Sequence, residues 1–107
     1  MSDYYVVDLQ HFLDEDGMPS VDLHPRALTI VLHLGAIVEW MTVKAADEFE
    51  LTNVNCRRRP ERRRCPGQII AYFDPDSDVI EWECPCCGDG GSISGWEDTI
   101  WDRRTPA

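Results

Sequence analysis

Two short runs in the second half of the chain, residues 68–73 and 79–84, are rich in aromatic and β-branched side chains and alternate between two faces. A period of two is the side-chain period of a β-strand, so each run predicts a strand. The residues between them, Asp-Pro-Asp-Ser-Asp, are strong turn formers. The pattern therefore predicts an antiparallel hairpin, and a further short strand is expected from Ile93.

The first half of the chain has a different period. Apolar residues recur there at intervals of three and four, and Pro25 suits a first helical turn. The combined apolar arc is wide, which predicts a helix buried on most sides. The apolar stretch 27–43 is 17 residues long and contains His33 and Glu39. Because a membrane-spanning helix needs about 20 mostly apolar residues, we interpret this stretch as a core helix, in which Gly35 would permit close approach of a strand or another chain.

The remaining elements complete a small fold. Residues 4–9 are aromatic and β-branched and predict a strand. A chain of 107 residues suits one domain, so we expect a single domain over 1–107. The expected fold class is α+β, in which a strand and a long helix in residues 1–46 pack on a small antiparallel sheet in residues 50–102.

Charge is distributed unevenly. The chain has 20 acidic and 10 basic residues and a net charge of −10. Segment 57–64 contains six arginines and one glutamate, a local charge of +5 that leaves −15 on the rest. Such an acidic protein repels nucleic acid and anionic membranes at long range, so no membrane partner is expected.

The five cysteines carry the most specific chemical signal. Cys84 and Cys87 have the C-x2-C spacing of a zinc knuckle, and Gly88 would allow the turn beneath the metal. The predicted hairpin would return Cys84 to Cys65, with Cys56 as the remaining ligand. We therefore predict one structural Zn²⁺ per chain, bound by four cysteines: Cys56, Cys65, Cys84 and Cys87. The fifth, Cys86, is expected to be a free and partly exposed thiol.

These motifs resemble a known class of protein. The cysteine turns, together with the C-P-x-C-G knuckle, are similar to the zinc-ribbon class. The wider pattern between Cys56 and Asp102, C-x8-C…C-P-x-C-G…G-W…W-D, is similar to small bacterial proteins with no established activity. The resemblance implies a zinc-ribbon-like sheet and a bound metal; it implies no particular function.

The arginine-rich segment between the first two cysteines admits two interpretations. Its side chains could neutralise the metal site and nearby carboxylates, or contact a protein partner. Alternatively they could bind the phosphates of nucleic acid, since Arg matches phosphate geometry. The candidate binding residues are Arg57, Arg58, Arg59, Arg62, Arg63 and Arg64.

Catalysis is not expected. The sequence shows no nucleophile–base pair, P-loop or dinucleotide fingerprint, and four cysteine ligands would leave zinc no open position. The first ten residues do not resemble a secretory signal, so a cytoplasmic setting is expected. The leading hypothesis is a non-enzymatic module that contacts a protein partner or its own copy; the alternatives are nucleic-acid binding through 57–64 and an enzyme with an undetected site.

Two smaller expectations concern packing. Four large indole side chains suit a small core, and the residues from Arg103 onward should fray as a tail. The four tryptophans are Trp40, Trp82, Trp96 and Trp101.

Overall fold

One helix and five strands follow one another along the chain in a computed structural model that describes residues 4–44, 50–56 and 65–104. The described residues thus have the predicted α+β composition. In chain order the elements are β1 (Tyr4–Asp8), α1 (Pro25–Lys44), β2 (Glu50–Asn55), β3 (Gln68–Phe73), β4 (Ile80–Glu83) and β5 (Gly90–Ser94).

The five strands form one mixed sheet in the order β1-β5-β4-β3-β2. Strands β2 to β5 are an antiparallel meander, whereas β1 pairs in parallel with β5. The part of the sheet in residues 50–102 is thus antiparallel, as predicted. The expectation that the N-terminal strand packs on that sheet was wrong, because β1 joins it as a parallel edge strand. The reason is topological: α1 carries the chain from the β1 edge to the β2 edge, and the meander returns with β5 running in the direction of β1.

The predicted hairpin is present, and the N-terminal strand also forms. Strand β3 covers residues 68–73 as predicted, and β4 is shorter than the predicted run at both ends. Strand β1 ends at Asp8, whose carboxylate accepts a hydrogen bond from the Gln10 amide and starts a short 3₁₀ turn. Strand β2 was not predicted individually, and its register with β3 is irregular between Leu51 and Asn55.

Helix α1 packs across β2 and β3. Its first turn is capped by His24, whose Nδ1 accepts a hydrogen bond from the Arg26 amide. One helical face is fully buried in the core, whereas the opposite face is exposed at Leu32 and Val43. The buried face consists of Val31, Leu34, Ile37, Val38 and Met41.

The close approach predicted at Gly35 is made by an indole ring of the same chain. A Cβ atom at Gly35 would overlap the ring of Trp101, so the missing side chain creates the space that the indole fills. Trp82, Trp96 and Trp101 are buried as expected. Trp40 is half-buried beside the core.

The C-terminal segment does not fray where the structure describes it. Arg103 binds Glu39 of α1 at 3.0 Å, and Arg104 binds Asp102 at 2.7 Å. Arg104 also lies over the Trp96 ring, 4.7 Å from its centroid. The expectation of a frayed tail was wrong for these two residues because ion pairs and ring stacking hold them; residues 105–107 lie outside the described part of the chain.

Among the described residues, one segment passes a length and composition test for a membrane span. This segment is Pro25–Val43 of α1, and 39% of its apolar stretch is buried. The core helix of a globular protein passes the same test, and the buried face of α1 is part of the hydrophobic core.

Candidate metal centre

Two loops at one end of the sheet bring four cysteines together. Cys56 follows β2 and Cys65 precedes β3, so both flank the β2–β3 connection. Cys84 follows β4, and Cys87 lies in the turn that leads to β5. The hairpin returns β4 beside β3, which places the second pair against the first. The four predicted ligand positions therefore meet at one point.

The four sulfur atoms lie close enough together to bind one metal ion. All four Sγ atoms lie within 4.8 Å of one another. The Cys56–Cys87 and Cys65–Cys84 separations are 3.7 and 3.6 Å. A tetrahedron with metal–sulfur bonds of about 2.3 Å has edges of about 3.8 Å, whereas a disulfide bond is about 2.05 Å long. These two separations match edges of such a tetrahedron and are far too long for disulfide bonds, so the four cysteines are positioned to bind a metal ion.

Backbone amides point at the two sulfurs that precede proline. The Gly67 amide hydrogen-bonds to the Cys65 thiolate, and this bond is the main reason that the pKa of Cys65 is lowered to about 7. Burial raises the pKa of Cys84, although the amides of Cys86 and Cys87 bind its sulfur and act in the opposite direction. Such amide donors stabilise the deprotonated sulfur that a metal requires.

Hydrogen bonds within and between the loops hold this arrangement. The Gly88 amide donates to the Cys84 carbonyl at 2.8 Å, and Gly88 has a φ of 83°, as expected for the turn beneath a metal. The Cys56 amide donates to the Gly67 carbonyl at 2.9 Å.

Gly67 belongs to one of the cysteine turns recognised in the sequence, but its close approach to the other turn was not predicted. A Cβ atom there would overlap the Cys84 sulfur, so only glycine lets the two loops come this close. The Cys-Pro-Gly triplet was the available signal, because it matches the Cys-Pro-Cys triplet of the other loop in placing an amide donor two residues after the cysteine.

Burial separates the fifth cysteine from the other four. Cys56, Cys65 and Cys84 are buried and Cys87 is half-buried, whereas Cys86 is exposed, as predicted. A hydrogen bond to Cys65 raises the pKa of the Cys86 thiol. Cys86 therefore lies at the rim of the centre, with its thiol open to solvent.

The arginines and histidines considered from the sequence do not belong to the cysteine cluster of the described residues. The six arginines of segment 57–64 fall outside the described residues, so the nucleic-acid hypothesis stays a prediction. His24 caps α1, His33 contacts the Trp82 ring edge-on, and His11 lies 3.9 Å from Asp8. The described imidazoles thus serve structural contacts away from the cysteines.

Comparison with known proteins adds no family. No model of a known protein family matches the chain, and no match was found among curated proteins or solved structures. The geometry of the four cysteines is therefore the main indication of function.

Proposed function

We propose that this chain is a small zinc-binding protein that acts as a non-enzymatic protein-interaction module. The observation that carries the proposal is the cluster of four cysteine sulfurs, all within 4.8 Å of one another. Four thiolates in a tetrahedron are typical of structural zinc, which has no preferred geometry of its own and accepts sulfur readily.

A zinc-ribbon-like arrangement supports the choice of metal. Each pair of cysteines comes from a loop at the same end of the antiparallel meander, and the Cys-Pro-x-Cys-Gly turn supplies one of these pairs. The ion would tie the β2–β3 connection to the β4–β5 turn. Its role is structural, because four protein ligands leave no position for a substrate or a reactive water molecule.

An interaction role is supported by apolar side chains on the surface. Strand β1 and helix α1 both expose large hydrophobic residues, and exposed apolar side chains are a common feature of interaction sites. The exposed members are Tyr4, Tyr5 and Val6 of β1, and Ile30, Leu32 and Val43 of α1.

A matched pair of cysteine variants tests the metal centre. Protein purified without added metal should contain one zinc ion per chain by elemental analysis. Cys84→Ser should lose the zinc, because it replaces a buried sulfur inside the cluster. Cys86→Ser, two residues away and outside the cluster, should keep it. Circular dichroism checks that each variant folds.

Two results would contradict this proposal. The first is a folded wild-type protein that is purified without zinc and does not take up the ion when it is added. The second is equal zinc content in the two variants, which would show that the metal is bound elsewhere.

A further inference from the structure

Strand β1 forms one edge of the sheet, and its outward-facing backbone groups can be assigned. The Cys84 amide donates to the Asp89 carbonyl at 2.7 Å, which fixes the alternation of hydrogen-bonded pairs between β4 and β5. In that alternation the main-chain groups of Gly91 point towards β4. Tyr5, opposite Gly91, must then supply the bonds from β1 to β5. Consequently Tyr4 and Val6 direct their amide and carbonyl groups away from the sheet.

The same strand carries three consecutive exposed hydrophobic residues. Tyr4, Tyr5 and Val6 are 62%, 41% and 78% exposed. Strand β1 contains no proline, lysine or bulge, which are common devices that keep a sheet edge from pairing. At the opposite edge, the irregular register of β2 is such a device. The two edges of the sheet are therefore unequal, and the β1 edge is suited to accept another strand.

Charge indicates what that strand is. The only charged residue of β1 is Asp8. In an antiparallel pair centred on Val6, Asp8 lies opposite Tyr4 of the other strand and not opposite another carboxylate. For a chain with a net charge of −10, contact between two copies is favourable only where charges are sparse, and β1 provides such a contact.

We propose that β1 pairs antiparallel with β1 of a second copy of this chain, about a two-fold axis at Val6. The two five-stranded sheets then form one continuous sheet, and Val6 exchanges main-chain hydrogen bonds with its counterpart. On one face, Val6 packs against Val6 of the second copy, and Tyr4 lies beside Asp8 of the second copy. An isologous contact of this kind is the commonest form of a homodimer.

This inference rests on the proposed interaction role and is tested by sedimentation equilibrium of the zinc-loaded, full-length protein. The wild type should form a dimer. Val6→Pro removes an amide that faces outward and is tolerated on an edge strand, so it should raise the dimer dissociation constant at least about tenfold. The control Leu32→Lys adds a charge to the exposed face of α1 and should leave the dissociation constant unchanged.

The outcomes separate the two proposals. A zinc-loaded protein that is monomeric at every concentration overturns the pairing of β1, even if it binds a strand of another protein. A dimer that Leu32→Lys dissociates and Val6→Pro does not would place the interface on α1; this overturns the β1 inference but keeps the interaction role. Amide exchange at Tyr5, measured on Val6→Pro, verifies that β1 is still paired with β5.

Discussion

At the scale of single residues, the contacts of Asp102 and Arg104 hold the C-terminal segment. The Asp102 side chain is buried, which by itself would raise the pKa of its carboxyl group. Hydrogen bonds from the Arg104 guanidinium and from the amides of Asp98 and Arg104 outweigh that cost and lower the pKa of Asp102 to about 2. The carboxylate is therefore charged in the fold at any pH above this value.

We predict that this carboxylate makes stability depend on pH in acid. The pKa of Asp102 is lower in the fold than its ordinary value of 3.8, so the ionised carboxylate stabilises the fold above about pH 4. This stabilisation is lost as the pH falls from about 4 to about 2. Asp102→Asn should therefore be less stable than wild type near neutral pH, and the difference should shrink over that interval. Urea unfolding at several pH values measures it, with the exposed Asp76→Asn as control. A difference that stays constant with pH would contradict the assignment.

At the scale of the elements, β1 joins the sheet with Tyr5 directly beside Gly91 of β5. A Cβ atom at Gly91 would overlap the Tyr5 carbonyl. The missing side chain also lets the Tyr5 and Trp82 rings lie nearly parallel, with centroids 6.3 Å apart, in positions that flank the glycine across three strands. The parallel strand is thus held in place by a contact that only glycine permits.

Gly91→Ala should loosen β1 without unfolding the meander. The added methyl group overpacks the β1–β5 contact, which typically costs about 1–3 kcal/mol. Urea unfolding should show this loss of stability. Relative to the wild type, amide exchange should accelerate more at Tyr5 than at the residues paired between β3 and β4. Ser92→Ala, at the next position on the opposite face, should cost less than about 1 kcal/mol. Equal effects of the two substitutions would show that Gly91 is not specially required.

At the scale of the whole molecule, the two ends of the sheet depend on different interactions. The cysteine end joins two loops through four sulfurs, whereas the other end is a turn in which the Asp74 amide donates to the Val79 carbonyl at 2.8 Å. Trp96 also donates from its indole nitrogen to the Asp78 carbonyl at this second end. Metal binding should therefore stabilise one end far more than the other.

Chelation should reveal this asymmetry. Structural zinc supplies on the order of 10–16 kcal/mol of apparent binding free energy in small modules, so its removal should speed amide exchange at Cys56 and Gly88. The Asp74 amide, at the far end of the same molecule, is the internal control and should change much less. Hydrogen exchange followed by NMR, with and without a zinc chelator, makes the comparison. Uniform acceleration would show instead that the metal supports the whole fold.

Features that depend on local pattern could be predicted from the order of residues alone. The period-two runs fixed β3 and the hairpin, the intervals of three and four fixed α1, and the spacing of Cys84 and Cys87 indicated a metal turn. The return of Cys84 to Cys65 also followed, because a hairpin must return β4 beside β3; the position of Cys56 depends on β2, which was not predicted individually. Each of these inferences needed only neighbours along the chain or one turn.

Features that depend on distant contacts became visible only in the folded chain. The parallel direction of β1 follows from the path of the chain across the sheet, which no local periodicity encodes. The need for glycine at Gly35, Gly67 and Gly91 arises from a ring, a sulfur and a carbonyl that are remote in sequence. The last described residues are likewise ordered by partners on α1 and by the Trp96 ring. Such contacts form only after the helix and strands have packed, because they join groups that local structure does not bring together.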